Sequence, residues 1–274
     1  MLNTSSPSNS YDFDLLQRPD LEATRLEARS QLRLAGFPDL LQRHGLPKTG
    51  RVLEVGCGLG RRTSIMAQLS PDADVIGIDR SEELLDRARS KHGATRNLSF
   101  EKADLYELPF QTETFDFVYA RLVFMHLTRP LSALQSILAI LKPGGRLLIE
   151  DADRDCMFFE PAPQSFASYW KLIQDGQRRL GGNPNVGRHL APYLKEAGFK
   201  DLNIEVQPIV GDGEDIGFIV RELLPSLTRY LEPQDQASCE AIMNELDSLA
   251  RDSRATFFHF WFAVSGAKRC SLQP

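Results

Sequence analysis

The chain has 274 residues, of which 42% are hydrophobic and 25% are charged, and its formal net charge is −5. This length and composition are typical of one large domain, or of a domain with a lid, that buries a full core. The acidic balance excludes a strongly basic surface for a phosphate backbone or an anionic membrane. We therefore expect a small organic partner and no binding to nucleic acid or membrane.

The N-terminus and the cysteines indicate a cytoplasmic protein. The opening MLNTSSPSNS lacks a basic start followed by an apolar core, and no apolar run approaches the ~20 residues of a membrane span. The four cysteines form no Cys-x-x-Cys pair and have no matching histidine spacing, so neither a disulfide framework nor a metal site is predicted. Residues 1–14, rich in Ser, Asn and Pro, are predicted to be a disordered tail.

Residues 15–48 are predicted to form an N-terminal helical lid. The segment DLEATRLEARSQLRLAGF carries leucines among acids and arginines, at Leu21, Leu26, Leu32 and Leu34. This spacing predicts an amphipathic helix that ends near Gly36 and Pro38.

From Arg51 onward, strand and helix patterns alternate. Strands are predicted over RVLEV, DVIGID, LSFEKAD, FDFVYA and RLLIE, and later over DLNIEVQPIV and FFHFWFAV. Helices are predicted from Arg61, over SEELLDRARSKH with Ser81 as N-cap, over PLSALQSILAIL, and over GRHLAPYLKEAGF. Parallel strands joined by crossover helices follow from this order. The last strand is aromatic on both faces, which predicts burial on both.

Two helical insertions are predicted, at about residues 155–182 and 211–255. In the second, Ile242, Leu246 and Leu249 share one helix face. Both insertions leave from strand ends, where a lid would cover a site.

Three glycines follow the first predicted strand in VLEVGCGLG. Ligands of parallel α/β sheets bind at the carboxyl ends of the strands, and Gly56, Gly58 and Gly60 would let the backbone pass close under a ligand there. A dinucleotide fingerprint G-x-G-x-x-G would need a third glycine at position 61, which is Arg61. The glycines could also merely ease packing between helix and strand.

Four motifs in order resemble those of the class I S-adenosylmethionine-dependent methyltransferases. They are Glu54 with the glycine loop, Asp79 closing the second strand, Asp104 in FEKADLYELPF, and LKPGGRLLIE. The resemblance covers roughly residues 50–150 and the two late strands. It implies an α/β, doubly wound, seven-stranded and mostly parallel sheet with an antiparallel last strand and helical lid insertions. The methyltransferase domain would span residues 49–274.

The same resemblance implies a site for S-adenosylmethionine, and no metal-ligand spacing adds a metal to it. Glu54 and the loop Gly56–Gly60 would hold the methionine part, Asp79 the ribose, and Asp104 with Leu105 the adenine. Arg80 belongs to the same cofactor site, Arg121 would lie near the methionine part, and Arg25 is a candidate for its carboxylate. Alternatively, Asp79 could only cap the following helix, and Asp104 could be an ordinary turn acid.

Candidate groups for proton transfer are few. His126 follows the fourth strand, and its imidazole could accept an acceptor's proton or make a structural hydrogen bond. We expect His189 to be a cap or surface residue and His259 a packed one. The acids Glu150, Asp151, Asp153 and Asp155 could perturb one another's pKa, hold a metal or an amine, or form a solvated loop. The aromatic run FFEPAPQSFASYW favours an apolar or aromatic substrate, although core packing explains such residues equally well.

The predicted function is methyl transfer to O, N or C of a small, apolar or aromatic metabolite by in-line displacement. YARLVF stands where amino-methylating relatives carry Asn-Pro-Pro-Tyr, which disfavours adenine or glutamine amides as targets. One alternative is a protein that binds S-adenosylmethionine but catalyses a cyclisation or rearrangement. Another is a non-catalytic binding or assembly partner. We also consider a homodimer.

Overall fold

The computed structural model describes residues 10–11, 13, 19–30 and 34–270. Most of the predicted tail, and Leu32 of the predicted first helix, lie outside the described residues.

A seven-stranded sheet with the order β3-β2-β1-β4-β5-β7-β6 forms the centre of the fold. The strands are β1 (Thr49–Val55), β2 (Asp72–Asp79), β3 (Leu98–Lys102), β4 (Phe115–Arg121), β5 (Leu141–Glu160), β6 (Lys200–Gly211) and β7 (Thr256–Ala267). Strand β7 runs antiparallel to both of its neighbours, β5 and β6, and the other pairs are parallel. The predicted fold class and the antiparallel last strand are confirmed.

Helices cover both faces of this sheet. Their bounds are α1 (Pro19–Ser30), α2 (Phe37–Arg43), α3 (Arg61–Leu69), α4 (Glu82–His92), α5 (Pro130–Ile140), α6 (Phe166–Arg179), α7 (Leu190–Ala197), α8 (Gly213–Phe218), α9 (Leu224–Leu227) and α10 (Gln236–Leu249). One core cluster joins α2, α3 and α4 to the sheet, and another joins α5 and α7 to the opposite face. No helix in the described part of the chain combines the length and apolarity needed to cross a membrane.

The helix boundaries reflect local signals. The amide of Leu84 donates to the hydroxyl of Ser81 at 3.3 Å, which confirms the predicted N-cap of α4. The predicted first helix is α1, described to Ser30, and residues 34–36 are not helical, in agreement with an end near Gly36. A second helix, α2, begins at Phe37 with Gly36 as its N-cap residue. Proline fits the first turn of a helix, where its missing N–H has no helical partner, so Pro38 marks a start here.

Strand β5 is longer than predicted and replaces the start of the first insertion. It continues to Glu160 and pairs with β7 beyond a register shift between Ala152 and Met157. The pairs Met157–His259, Phe158–Phe258 and Phe159–Phe257 extend the sheet past the ends of the parallel strands. The predicted insertion therefore begins as a strand, and its helix, α6, starts at Phe166.

The second insertion is helical, as predicted, and has its own core. Ile242, Leu246 and Leu249 are buried together with residues of α6, α8 and α9, which confirms their shared face. The prediction that β7 is buried on both faces was wrong for the first half of the strand. There Phe258 stacks at 4.9 Å on Phe158, whose side chain is 46% exposed, because α5 and α7 pack farther along the strand, near Val264.

Candidate active site

A cavity of about 330 Å³ lies at the carboxyl ends of the parallel strands. At one end it is lined by the glycine loop after β1 and by the residues after β2, β3 and β4. The other end, which we call the acceptor end, is formed by the β5 extension, β7, α6 and the second insertion. A concave site of this kind, at the switch point of a doubly wound sheet, is where such folds bind ligands.

The three glycines of the loop serve different purposes. A β-carbon on Gly56 would lie 2.5 Å from Val123 Cγ2, and one on Gly60 would lie 2.5 Å from Phe100 Cζ, so both permit close packing. Gly58 differs, because a β-carbon there would meet no atom within 4 Å, although its φ is +53°. The packing alternative thus explains two glycines, while Gly58 presents bare backbone to the cavity that it lines.

Asp79 is held in place by backbone amides at the end of β2. Its Oδ2 accepts the Gly58 N–H at 2.9 Å, and its Oδ1 accepts the Ser81 N–H at 3.1 Å. The carboxylate therefore ties the glycine loop to the start of α4 and lines the cavity. Because each carboxylate oxygen has a second lone pair, these bonds are compatible with further donors.

The other residues assigned to the adenosine part lie next to Asp79. Arg80 Nε is 3.5 Å from Asp104 Oδ2, and the Tyr106 amide donates to Asp104 Oδ1 at 2.9 Å. Leu105 is buried, and all of these residues line the cavity. The structure therefore brings Asp79, Arg80, Asp104 and Leu105 together on one wall.

Glu54 and Arg121 lie deeper, at the ends of β1 and β4. Glu54 is 3% exposed and accepts the Thr63 hydroxyl at 2.5 Å, and burial raises its pKa to about 7. Arg121 Nε is 3.4 Å from Glu150 Oε1, and its guanidinium lies 4.6 Å from the centre of the Trp261 ring. A buried acid beside a buried arginine can receive the ammonium and carboxylate of an amino acid.

Arg25 lies apart from this group. Its guanidinium is 3.8 Å from the Glu22 carboxylate on the same helix, α1. Glu22 and Leu26, rather than Arg25, are the residues of that helix that line the cavity.

His126 ends a 3₁₀ turn, Phe124–His126, at the cavity wall. Its Nδ1 lies 3.0 Å from Ser10 Oγ. The turn is held by the amide of Met125, which donates to Asp151 Oδ2 at 3.1 Å, and by Gln177 Nε2, which donates to the Met125 carbonyl at 2.9 Å. Residues of the sheet and of α6 thus hold the turn that carries His126, and Ser10 of the N-terminal segment contacts its imidazole ring.

The acceptor end contains residues that the sequence analysis did not assign to a site. They are Arg154, Arg229, His259 and Trp261, and Trp170 from the predicted aromatic run lines the cavity with them. His259 is packed as expected, since its Nδ1 accepts the Trp261 Nε1–H at 3.0 Å, but it also lines the cavity. Phe257, His259 and Trp261 alternate along β7, and this two-residue period could have predicted that their side chains share the face toward the cavity.

The acidic cluster Glu150, Asp151, Asp153 and Asp155 lies within β5 rather than in a solvated loop, and Asp155 is its exposed member. Glu150, Asp151 and Asp153 are nearly fully buried within β5, because each has a partner that satisfies its oxygens. Tyr119 donates to Glu150, backbone amides donate to Asp151, and Arg188 pairs with Asp153. Within the described ranges, no group of three or more His, Cys, Asp or Glu side chains is arranged to hold a metal ion.

The family described as "Methyltransferase domain" matches residues 46–198, more than half of the chain. The chain belongs to this methyltransferase family. The resemblance inferred from the glycine loop with Glu54, from Asp79, from Asp104 and from LKPGGRLLIE is therefore confirmed.

Relatives of this chain include an uncharacterized methyltransferase of Schizosaccharomyces pombe, 34% identical over 57% of this chain and 59% of the relative. An O-methyltransferase of Penicillium expansum is 33% identical over 56% of this chain and 53% of the relative. The chain thus spans less than two thirds of either protein. A solved structure of phosphoethanolamine N-methyltransferase 2 from Haemonchus contortus, in complex with phosphomonomethylethanolamine and S-adenosylhomocysteine, has the same fold. Its TM-score is 0.61 at 20% identity, with 95% of this chain and 60% of that chain covered.

Proposed function

We propose that this chain transfers a methyl group from S-adenosylmethionine to O, N or C of a small, apolar or aromatic molecule. The observation that carries the proposal is the continuity of the cavity. It runs from Gly58 and Asp79 to His126 and onward to the aromatic acceptor end. A donor and an acceptor can therefore meet in one enclosed space, which is the main requirement for aligned displacement.

The cofactor end fits S-adenosylmethionine by the chemistry of its groups. The bare backbone at Gly58 leaves room for a ligand, and the Asp79 carboxylate can accept ribose hydroxyls. Leu105 offers an apolar contact and Asp104 an acceptor for the adenine. The Arg121 guanidinium can pair with a carboxylate, and Glu54, whose pKa burial raises to about 7, can ionise when an ammonium binds beside it.

When bound, S-adenosylmethionine supplies an electrophilic methyl group on a positively charged sulfur. On transfer, the acceptor atom would bond to the methyl carbon and the electron pair of the carbon–sulfur bond would go to sulfur. With the Nδ1 proton donated to Ser10 Oγ, His126 keeps a lone pair on Nε2, which can take the proton that the acceptor loses. The aromatic wall keeps water from the reacting atoms.

Calorimetric titration with S-adenosylmethionine and S-adenosylhomocysteine tests the cofactor assignment. Asp79→Ala should weaken the binding of both ligands by about 10- to 100-fold, because a charge-assisted hydrogen bond contributes about 1.5–3 kcal/mol. Asp74→Ala is the matched control, since this acid lies on the same strand but pairs with Arg51 at the surface. Equal affinity of the wild type and Asp79→Ala would contradict the assignment.

His126→Ala separates binding from chemistry. We expect cofactor affinity to stay within about twofold while methyl transfer falls by about 10²-fold or more, the usual contribution of a general base. Transfer is measured as S-adenosylhomocysteine formed with a panel of phenols, amines and acids. Intact cofactor binding without transfer to any acceptor would favour the cyclisation or rearrangement alternative.

Three further statements remain predictions. The chain is expected to act in the cytoplasm, and it is considered a homodimer. The third is the division into an N-terminal lid, residues 15–48, and a methyltransferase domain, residues 49–274. Helix α1 supports it, because residues of this helix line the cavity. At α2 the support is weaker, because its Phe37, Leu40 and Leu41 are buried in the domain core.

A further inference from the structure

The acceptor end of the cavity shares a wall with a second concavity, which we call the outer groove. This groove has a volume of about 500 Å³ and lies between α6 and the far end of β5. Arg154, Met157 and Trp170 line both the cavity and the outer groove, and we call these three residues the partition. Because each of them borders both spaces, the wall is one side chain thick at these points.

The partition forms where a helix replaces a strand beside β5. The pairing of β4 with β5 ends at Glu150, whereas β7 pairs with β5 as far as Glu160. Helix α6 packs beside this extension, where Trp170 Nε1 donates to the carbonyl of Arg154 at 2.6 Å. The cavity and the outer groove therefore lie on either side of a contact between one helix and one strand.

Aromatic side chains give the outer groove an apolar lining. Phe159 and Phe166 are both buried, and their ring centres lie 4.9 Å apart in an edge-to-face contact. Phe158, the next residue of β5, also lines the groove and is 46% exposed. A concave apolar surface beside a binding cavity favours an apolar extension of the ligand.

The charged residues at the outer groove are paired. Lys171 and Arg178 both contact the carboxylate of Asp175, at 2.5 and 2.9 Å. Asp155 lies 3.1 Å from the guanidinium of Arg188. Since these charges are compensated and partly exposed to water, they contribute little to selection of a charged ligand.

Two residues of the partition are held by directional contacts. Trp170 donates its hydrogen bond to the β5 backbone and stacks on Phe166, with ring centres 5.2 Å apart. Arg154 Nε donates to Gln177 Oε1 at 3.0 Å, and the guanidinium lies 5.3 Å from the centre of the Trp170 ring. These contacts fix both side chains in one arrangement.

Met157 is the third residue of the partition and is held by apolar packing. It is 3% exposed and belongs to the hydrophobic cluster under the second insertion. It pairs with His259, and paired residues of antiparallel strands place their side chains on the same face, here toward the cavity. A methionine side chain is unbranched and flexible, so Met157 is the part of the wall that can change shape.

We infer that Met157 sets the length of the acceptor, which deepens the proposed function and rests on it. The aromatic ring of the acceptor lies in the cavity, and Met157 ends the space for an apolar chain attached to that ring. Loss of its side chain beyond Cβ opens the partition, and a longer chain then enters the outer groove. The acceptor class is therefore an aromatic molecule with a short apolar substituent.

The test uses 4-alkylphenols with chains from methyl to octyl, titrated calorimetrically into protein saturated with S-adenosylhomocysteine. In the wild type, affinity should rise about fourfold for each methylene that is buried and stop rising at a limiting length. Met157→Ala should extend this limit by at least about two methylenes, so that chains just beyond the wild-type limit bind about tenfold more tightly.

Met243→Ala is the matched control. It removes the same side chain from the same hydrophobic cluster, at a residue that borders neither the cavity nor the outer groove, and it should leave the limit unchanged. The inference is overturned by an unchanged limit in Met157→Ala or by an equal shift in Met243→Ala. It is also overturned if wild-type affinity rises through to octyl, or if no alkylphenol binds.

A second substitution shows where the longer chain goes. Ala167 is exposed and lines the outer groove, so Ala167→Phe, added to Met157→Ala, should return the limit to near the wild-type length. Ser168→Phe in the same background adds the same ring at the next residue, which is exposed outside the groove lining, and should leave the longer limit in place. If Ala167→Phe has no effect on the limit, the chain does not enter the groove and the inference is wrong.

The outcomes remain separable if a variant is unstable. Affinity for S-adenosylhomocysteine, measured on every variant, reports whether the cofactor end is intact. If Met157→Ala does not fold, Met157→Val shortens the same side chain by less and should still extend the limit by at least about one methylene. If the wild type does not bind S-adenosylhomocysteine, it is the proposed function that fails, and the alkylphenol series on the unliganded protein still reports on the partition.

Discussion

Replacing Gly58 and Gly60 by alanine, one at a time, should separate the packing role of the loop from its ligand-binding role. Both glycines have a positive φ, of +53° and +73°, so both alanine variants incur the strain of a left-handed residue, about 1–2 kcal/mol. The surroundings of the two added methyl groups differ, and that difference makes the pair informative.

At Gly60 the added β-carbon would lie 2.5 Å from Phe100 Cζ and 3.0 Å from Ala88 Cβ, both in the packed core. Overpacking of this kind costs about 1–3 kcal/mol, so the total loss in the free energy of unfolding should be about 2–5 kcal/mol. At Gly58 no atom lies within 4 Å of the added carbon, so the loss should stay at about 1–2 kcal/mol.

Cofactor affinity should follow the opposite order. Alanine at Gly58 adds a methyl group where the ligand approaches the backbone, and we expect the affinity for S-adenosylhomocysteine to fall at least about tenfold. Urea unfolding gives the stability of each variant, and calorimetry gives the affinity. If both variants lose the same stability, or if Gly60→Ala weakens binding more than Gly58→Ala does, the division of roles is wrong.

Other outcomes follow from buried acids and close contacts. Burial raises the pKa of Glu54 and of Asp151 to about 7. Between about pH 4 and pH 7 the folded protein therefore binds protons that the unfolded chain has released. The free energy of unfolding should fall as the pH rises through this range. Glu54→Gln should reduce the loss of stability between pH 5 and pH 7 by on the order of 2 kcal/mol in urea unfolding, and an unchanged loss would contradict the buried acid. Alanine at Gly176 would meet the Tyr230 carbonyl and should lower the melting temperature, with the exposed Ser168→Ala as a control on the same helix. Ser81→Ala should cost about 1 kcal/mol of stability through loss of the N-cap bond, and no change in urea unfolding would show that the 3.3 Å bond contributes nothing.

Much of the cofactor end was predictable because its signals are local. A strand, a glycine turn and an acid at the next strand end are adjacent in the chain, and parallel pairing brings their carboxyl ends to one edge. Asp79 and Asp104 could therefore be placed beside the loop without knowledge of any side-chain packing.

The acceptor end was less predictable because it depends on long-range pairing. The extension of β5 exists because Met157, Phe158 and Phe159 pair with β7, about 100 residues later, beyond a register shift. That pairing turns His259 toward the cavity, and no pattern within residues 150–160 reveals it. The burial of Asp153 similarly depends on Arg188, which lies 35 residues away.

The separate hydrophobic cluster under the second insertion has a consequence for evolution and engineering. The cofactor end rests on the clusters that join α2–α5 and α7 to the sheet, whereas the acceptor end is supported largely by residues of α6, α8, α9 and α10. Substitutions in α6, α8, α9 and α10 can change which molecules fit the acceptor end. They should have little effect on the glycine loop, because distant sites contribute nearly additively to stability. The scaffold is therefore suited to diversification of its substrates around a constant donor.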